Sequence, residues 1–183
     1  AIVACVAADT NHVDSFRLML GGFSEFARDA TYPYGSGGPN ALFAFITSAY
    51  MARTGATRAD FGKVCVDQRT NALAYGSRVF KKPLALDEYL AARPIAEPIH
   101  LFDCVMPCAG AEAFLVMSEA RAKDLGLAYA TVRGSIERHN AFASDPIMTR
   151  GGWHVDRDDL YAMADCRPQD IGFLQTYDDY PVI

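Results

Sequence analysis

An α/β layered fold is predicted for this chain of 183 residues. Apolar runs of strand length recur along it, and they alternate with segments of helical period that carry their own capping residues. The clearest case is residues 101–118, LFDCVMPCAGAEAFLVMS. Pro107 and Gly110 punctuate the entry, and residues 111–117 are mostly apolar apart from Glu112. Such a run suits a central strand covered on both faces. At Ser118 the period changes: Ser118 is a good N-cap, Glu119 suits the first turn, Lys123 comes late, and Gly126 can close the helix. Residues 129–136 then predict another strand, so the stretch is the middle of a strand–helix–strand unit.

The remaining elements follow in order. Residues 1–8, AIVACVAA, are small and branched and predict a strand buried on both faces. A polar loop over 9–15 leaves its C-terminal end, the end where ligands usually sit in α/β sheets. Residues 16–38 mix aromatics with the glycine-rich TYPYGSGGPN that leads into the next helix. GSGG there is a flexible turn: it lacks the Lys-Ser/Thr of a phosphate loop and the GxGxxG spacing of a dinucleotide site. Pro39 fits a first helical turn. Residues 40–53 are amphipathic, with Leu42, Ile46, Ala49 and Tyr50 on one face, Phe45 adjoining, and Gly55 ending the helix.

Thr57 and Asp60 form a capping-box pattern that opens a second helix to about residue 73, with Phe61, Val64, Cys65 and Ala72 as its inner stripe. The prolines of residues 81–98 predict an excursion over the surface, outside the core, with a short helix near 86–92. Beyond the central unit, the strand from 129 grows polar towards 139. Residues 141–153 make a long connection with Pro146 and Gly151-Gly152, of a length more often functional than idle. Residues 157–165 predict a helix and 170–176, DIGFLQT, a last strand. The chain closes on the apolar Pro-Val-Ile, and together with a first strand that begins at once this leads us to expect ends cut from something longer.

Composition narrows the function classes. A net charge of −5 argues against sequence-independent binding to a phosphate backbone. No apolar run is long enough to cross a bilayer, and no secretory signal precedes the first strand. Five cysteines, an odd number among mixed or apolar neighbours, fit a reduced, cytoplasmic protein. Cys104 and Cys108 lie four apart, but no second pair follows at zinc spacing, so no metal site is expected. His12, His100, His139 and His154 show no paired spacing and are expected as surface or satisfied core groups.

Three landmarks in this order resemble one family. They are PNALFAFITSAYMARTGATRADFGKVCVDQRTNALAYG, KKPLALDEYLAARPIAEPIHLFDCVMPCAGAEAFLVMSEARAKDLG and PQDIGFLQTYDDYPVI. Together they are similar to the thiolase superfamily, and most to its sterol-carrier-protein-X-type, lipid-transfer-protein-like branch. The resemblance implies a five-layer αβαβα fold of two similar halves, only part of which this chain would contain, and a homodimer. Residues 1–128 would be the later part of the first half with its helical excursion, and residues 129–183 the start of the second.

The resemblance also locates departures. The nucleophilic cysteine of ordinary thiolases would precede Ala1, and none of Cys5, Cys65, Cys104, Cys108 and Cys166 matches it. The Cys-x-Gly and His-Pro-type motifs would follow Ile183. Where the sterol-carrier branch has His-Asp-Cys-Phe and ordinary thiolases have Asn-Glu-Ala-Phe, this chain has Tyr177-Asp178-Asp179-Tyr180. In thiolases the His or Asn there helps hold a water against the thioester oxyanion. A phenol is a donor and a weak acid, ordinarily titrating near pH 10. It suits enolate stabilisation or a proton relay better than it replaces an imidazole.

That exchange fits retro-aldol cleavage of a β-hydroxyacyl-CoA from a sterol or lipid side chain. Tyr177 would be the proton-transfer or enolate-stabilising group and Asp178 the neighbour that orients the loop. Tyr180 is expected to pack, as the family's Phe does. Coenzyme A would enter as part of the substrate with no tightly bound cofactor. Thiolase-like aldolases of this kind work with an OB-fold partner protein. Two other readings stay open: a thiolase whose cysteine lies outside these residues, and a non-catalytic subunit that binds acyl-CoA or lipid.

Overall fold

β1 (Ile2–Asp9) opens the chain, as its small and branched residues predict. In order there follow α1 (Gly38–Thr54), α2 (Arg58–Ala74), α3 (Leu86–Leu90), β2 (Pro94–Ala96), β3 (Ile99–His100), β4 (Gly110–Met117), α4 (Glu119–Asp124) and α5 (Trp153–Ala164). The computed structural model describes residues 1–10, 12, 29, 32–36, 38–77, 79–142, 144–145, 147, 149–177 and 179–183. Most of the polar loop expected over 9–15, most of residues 16–31, one glycine of GSGG and Pro146 therefore lie outside the described residues. The chain divides into two units. One is Ala1–Thr10 with Ala109–Thr176, and the other is Asn11–Cys108 with Tyr177–Ile183.

In the first unit β1 and β4 pair antiparallel in unbroken register, from Ile2 opposite Met117 to Asp9 opposite Gly110. Both strands form as expected, but neither is buried on both faces. Val3, Val6, Phe114 and Leu115 are each more than half exposed. An apolar run reports what a strand is able to bury; among the described residues the strands form a two-stranded ribbon, and such a ribbon provides no layer over its own faces.

α4 starts and stops where its caps predict. The Ser118 hydroxyl accepts from the Arg121 N–H at 3.3 Å. Gly126, at φ 64°, takes the left-handed conformation that ends the helix. Glu119 pairs with Lys123 at 2.7 Å and accepts from the Tyr129 hydroxyl at 2.9 Å. These two donors hold its carboxyl below the usual range.

The strand expected from residue 129 does not form. A strand needs a neighbour to complete its ladder, and this segment bonds instead to the helix α5 and the residue after it. Arg133 donates to the Asp165 carbonyl at 2.9 Å, the Ser135 N–H meets the Met163 sulfur at 3.4 Å, and Arg138 forks onto Asp156. A Cβ on Gly134 would stand 3.2 Å from Leu160, so the absence of a side chain permits the close approach. α5 itself begins at Trp153, ahead of the expected start at 157, and ends at Asp165 in the left-handed region (φ 47°). The last expected strand, 170–176, is also absent. Pro168–Asp170 is a single 3-10 turn, and Phe173 and Leu174 beyond it are about four-fifths exposed.

In the second unit α1 buries Ala44, Ile46 and Thr47. Leu42, assigned to the inner face by spacing, and the adjoining Phe45 are more than half exposed, so the buried face is rotated from the expected one. α2 opens with the predicted cap: the Thr57 N–H donates to Asp60 Oδ2 at 2.7 Å and the Asp60 N–H returns to the Thr57 carbonyl at 3.1 Å. Phe61 is buried and Cys65 and Ala72 are half-buried, whereas Val64 is exposed.

The segment over 81–98 is the largest correction to the expected core. Leu84 and the fully buried Tyr89 of α3 join Phe61 to form a hydrophobic cluster there. The Arg58 guanidinium lies 5.2 Å from the Tyr89 ring centre and donates to the Leu90 and Tyr89 carbonyls, at 2.9 and 3.2 Å. Prolines marked a change of chain direction here, and the buried residues between them carried no periodic signal.

Candidate active site

The predicted site residues fall among the last residues of the second unit, 177–183. Tyr180 faces inward. It is 2% exposed, packs with Ala44 and Ile99, and stacks on Phe43 with ring centres 4.0 Å apart. Its hydroxyl donates to Asn40 Oδ1 in the first turn of α1. Burial holds the Tyr180 hydroxyl above its ordinary titration range. The Ile183 N–H returns to the Tyr180 carbonyl at 3.0 Å and closes the turn. The expectation that Tyr180 packs is met, with a polar anchor added.

Tyr177 faces outward. Its ring is 78% exposed, and its hydroxyl donates to Asp179 Oδ1 at 3.1 Å. Asp179 sits at φ 54°, in the left-handed region that Asp tolerates better than most residues. Asp178, expected to orient the loop, lies outside the described residues. The described carboxylate in contact with the phenol is Asp179, which sequence reasoning left without a role. The available signal was a carboxylate two residues after a tyrosine, too common to single out. Chemically, the pair is an accessible phenol whose proton is directed at a carboxylate. Such a group can donate a hydrogen bond to an oxyanion or pass a proton.

Several other titratable groups of this unit are buried and engaged, Asp103 and His100 among them. Asp103, buried, accepts from the Tyr89 hydroxyl and from the His100 N–H, the latter at 2.8 Å. The His100 ring meets the Ala92 carbonyl at 2.6 Å and Glu97 at 3.2 Å, as a satisfied core histidine should. Desolvation raises the Tyr89 hydroxyl above its normal range. Burial pushes the Cys104 thiol up to about 11. Cys104 therefore lacks the surroundings of an activated thiol. Cys108, half-buried, turns its sulfur to the Met106 carbonyl at 3.1 Å. A hollow beside Tyr180, lined by Thr47, Phe61, Ile99, Asp103 and Val182 among others, has room for about one water. Among the described residues no three of His, Cys, Asp and Glu gather to hold a metal, and no helix is long and apolar enough to cross a membrane.

Comparison with known proteins adds names to this geometry. No family model matches the chain. A steroid side-chain-cleaving aldolase of Thermomonospora curvata is 31% identical over 156 residues, which is 81% of this chain and 40% of that protein. The 17-hydroxy-3-oxo-4-pregnene-20-carboxyl-CoA lyase of Mycobacterium tuberculosis is 42% identical over 96 residues, 52% of this chain and 25% of that protein. The benzoylsuccinyl-CoA thiolase subunit BbsB of Thauera aromatica is 27% identical over 143 residues, 76% of this chain and 37% of that protein. Among solved structures, an Ltp2-ChsH2(DUF35) aldolase matches with a TM-score of 0.72 and 27% identity, over 99% of this chain and 49% of that one. The chain thus spans less than half the length of each of these relatives.

Proposed function

Because the chain belongs to the thiolase superfamily, in its lipid-transfer-protein-like branch and with part of the α/β thiolase-like fold, we propose that the protein containing it is a retro-aldolase of β-hydroxyacyl-CoA thioesters. The observation that carries this reading is the Tyr177 phenol. It is accessible and aimed at a carboxylate, at the chain position where the family's thiolases have His or Asn. The aldolase and CoA-lyase names of two relatives point the same way.

In the proposed reaction a base takes the proton of the β-hydroxyl. The bond between the α and β carbons then breaks as the β carbon becomes a ketone. The electron pair moves to the thioester as an enolate, which is protonated at the α carbon. Tyr177 donates a hydrogen bond to the enolate oxygen or relays one of these protons. Asp179 holds the phenol before substrate arrives by accepting its single O–H, which turns to the enolate oxygen in the reaction, and Asp178 would orient the surrounding loop. No cysteine is consumed in this sequence, consistent with the enclosed Cys104.

The substrate supplies coenzyme A, and no tightly bound cofactor is proposed. The assembly is a homodimer that works with an OB-fold acyl-CoA-binding partner in the cytoplasm. Residues 1–128 belong to the first thiolase-like half, and residues 129–183 begin the second.

The test offers the intact protein 17-hydroxy-3-oxo-4-pregnene-20-carboxyl-CoA and, separately, acetoacetyl-CoA with free CoA. Steroid ketone from the first with no acetyl-CoA from the second is the expected result. Acetyl-CoA from the second arm would instead assign a thiolase acting through a cysteine outside this chain. Turnover of neither would leave a thiolase-like subunit that binds acyl-CoA or lipid.

A further inference from the structure

We infer that Tyr180 and Asn40 are positioning residues for Tyr177, fixing where its phenol stands by tying the last turn of the chain to the first turn of α1. The inference rests on the retro-aldol reading of Tyr177 given above. The hydrogen bond from Tyr177 to Asp179 joins residues two apart and so does not itself tie the end of the chain to α1. Tyr180, three residues on, makes that tie. Its ring is buried against Phe43, Ala44 and Ile99, and its hydroxyl reaches Asn40, 140 positions earlier.

The two kinds of contact do different work. Ring packing is non-directional and tolerates sliding along Phe43. The hydroxyl–amide hydrogen bond is directional and selects one position along that slide. Asn40 lies in the first turn of α1, directly after Pro39. A shift of the turn by a fraction of an ångström would move the phenol by a similar amount, and proton transfer is sensitive to displacements of that size.

The test is steady-state kinetics of the intact protein on 17-hydroxy-3-oxo-4-pregnene-20-carboxyl-CoA, with melting temperatures measured alongside. Tyr180→Phe keeps the stack and removes the anchor; kcat should fall about tenfold with KM changed less than about twofold, as expected when only transition-state geometry is lost. Asn40→Leu should have the same effect, and the double variant should be no slower than either single one, because both remove one interaction. Asn40→Asp keeps an acceptor oxygen for the Tyr180 hydroxyl and should keep kcat within about threefold. Wild-type kcat in Tyr180→Phe, or multiplying losses in the double variant, would overturn the inference. So would loss of folded protein in both single variants, since the contact would then be structural. Tyr177→Phe in the same assay separates the two levels. If it retains full activity, the catalytic reading of Tyr177 fails; if it is inactive while Tyr180→Phe is normal, only the positioning role fails.

Discussion

Substituting Gly62 by alanine should destabilise the protein, against the usual trend. In an open helix interior, Gly→Ala gains about 1 kcal/mol from propensity, and Gly62 lies well inside α2. A Cβ there, however, would stand 2.6 Å from Leu86 Cδ1 and from Tyr89 Cδ1, and 2.8 Å from Tyr89 Cε1. Leu86 is exposed and its Cδ1 can turn aside, but the Tyr89 ring has no room to withdraw. Tyr89 is fully buried, its hydroxyl is committed to Asp103, and the Arg58 guanidinium lies near its ring. Overpacking of this kind costs about 1–3 kcal/mol. Displacing the ring would add the loss of a hydrogen bond to a carboxylate, about 1.5–3 kcal/mol. Set against the propensity gain, the net loss is about 1.5–5 kcal/mol by these figures. Urea unfolding of the intact protein, followed by circular dichroism, would show a midpoint lowered by about 1–2 M with an unchanged slope. A variant as stable as the parent, or more stable, would mean that the Tyr89 ring is not held as described, and the account of the second unit's core would fail with it.

Other consequences are open to measurement. The Cys104 thiol, held near 11 by burial, has about 200 times less thiolate at pH 8 than an ordinary thiol. Its alkylation by iodoacetamide, followed by mass spectrometry, should be slower than that of an unstructured peptide cysteine by at least that factor, and equal rates would contradict its enclosure. Asp156 accepts a fork from Arg138, which holds its carboxyl below the usual range. A depressed folded-state value contributes stability above the unfolded carboxylate range, near pH 4, and loses it as pH falls through the folded value. Asp156→Asn should therefore melt below the parent at pH 7, with the gap closing only in acid below about pH 4. A gap that does not change with pH would remove the ion pair as its cause.

The parts of the fold legible in the sequence are those specified by neighbouring residues. Thr57 and Asp60 marked the start of α2, and Ser118 and Gly126 bracketed α4, because a cap is a contact between positions three or four apart. The strands over 129–139 and 170–176 were not legible, because a strand exists only with a partner and apolar spacing does not name one. Burial failed in both directions for the same reason. The apolar β1 and β4 are exposed, and Tyr89, between prolines, is the most enclosed side chain among the described residues of its unit.

At the site, the resemblance to the thiolase superfamily singled out Tyr177 and implied that Tyr180 packs. The anchor at Asn40 was invisible, since nothing in either segment announces a contact across 140 positions. Asp179 was visible but anonymous, and it acquires a role only from its distance to the phenol.

The most direct measurement is the rate at which the intact Tyr177→Phe protein releases steroid ketone from 17-hydroxy-3-oxo-4-pregnene-20-carboxyl-CoA. Loss of a positioned proton donor should lower kcat by about 10²–10⁴-fold. An exposed ring contributes little to the fold, so unfolding should change by less than about 0.5 kcal/mol. A Tyr177→Phe protein that cleaves at the parent's rate would contradict the account.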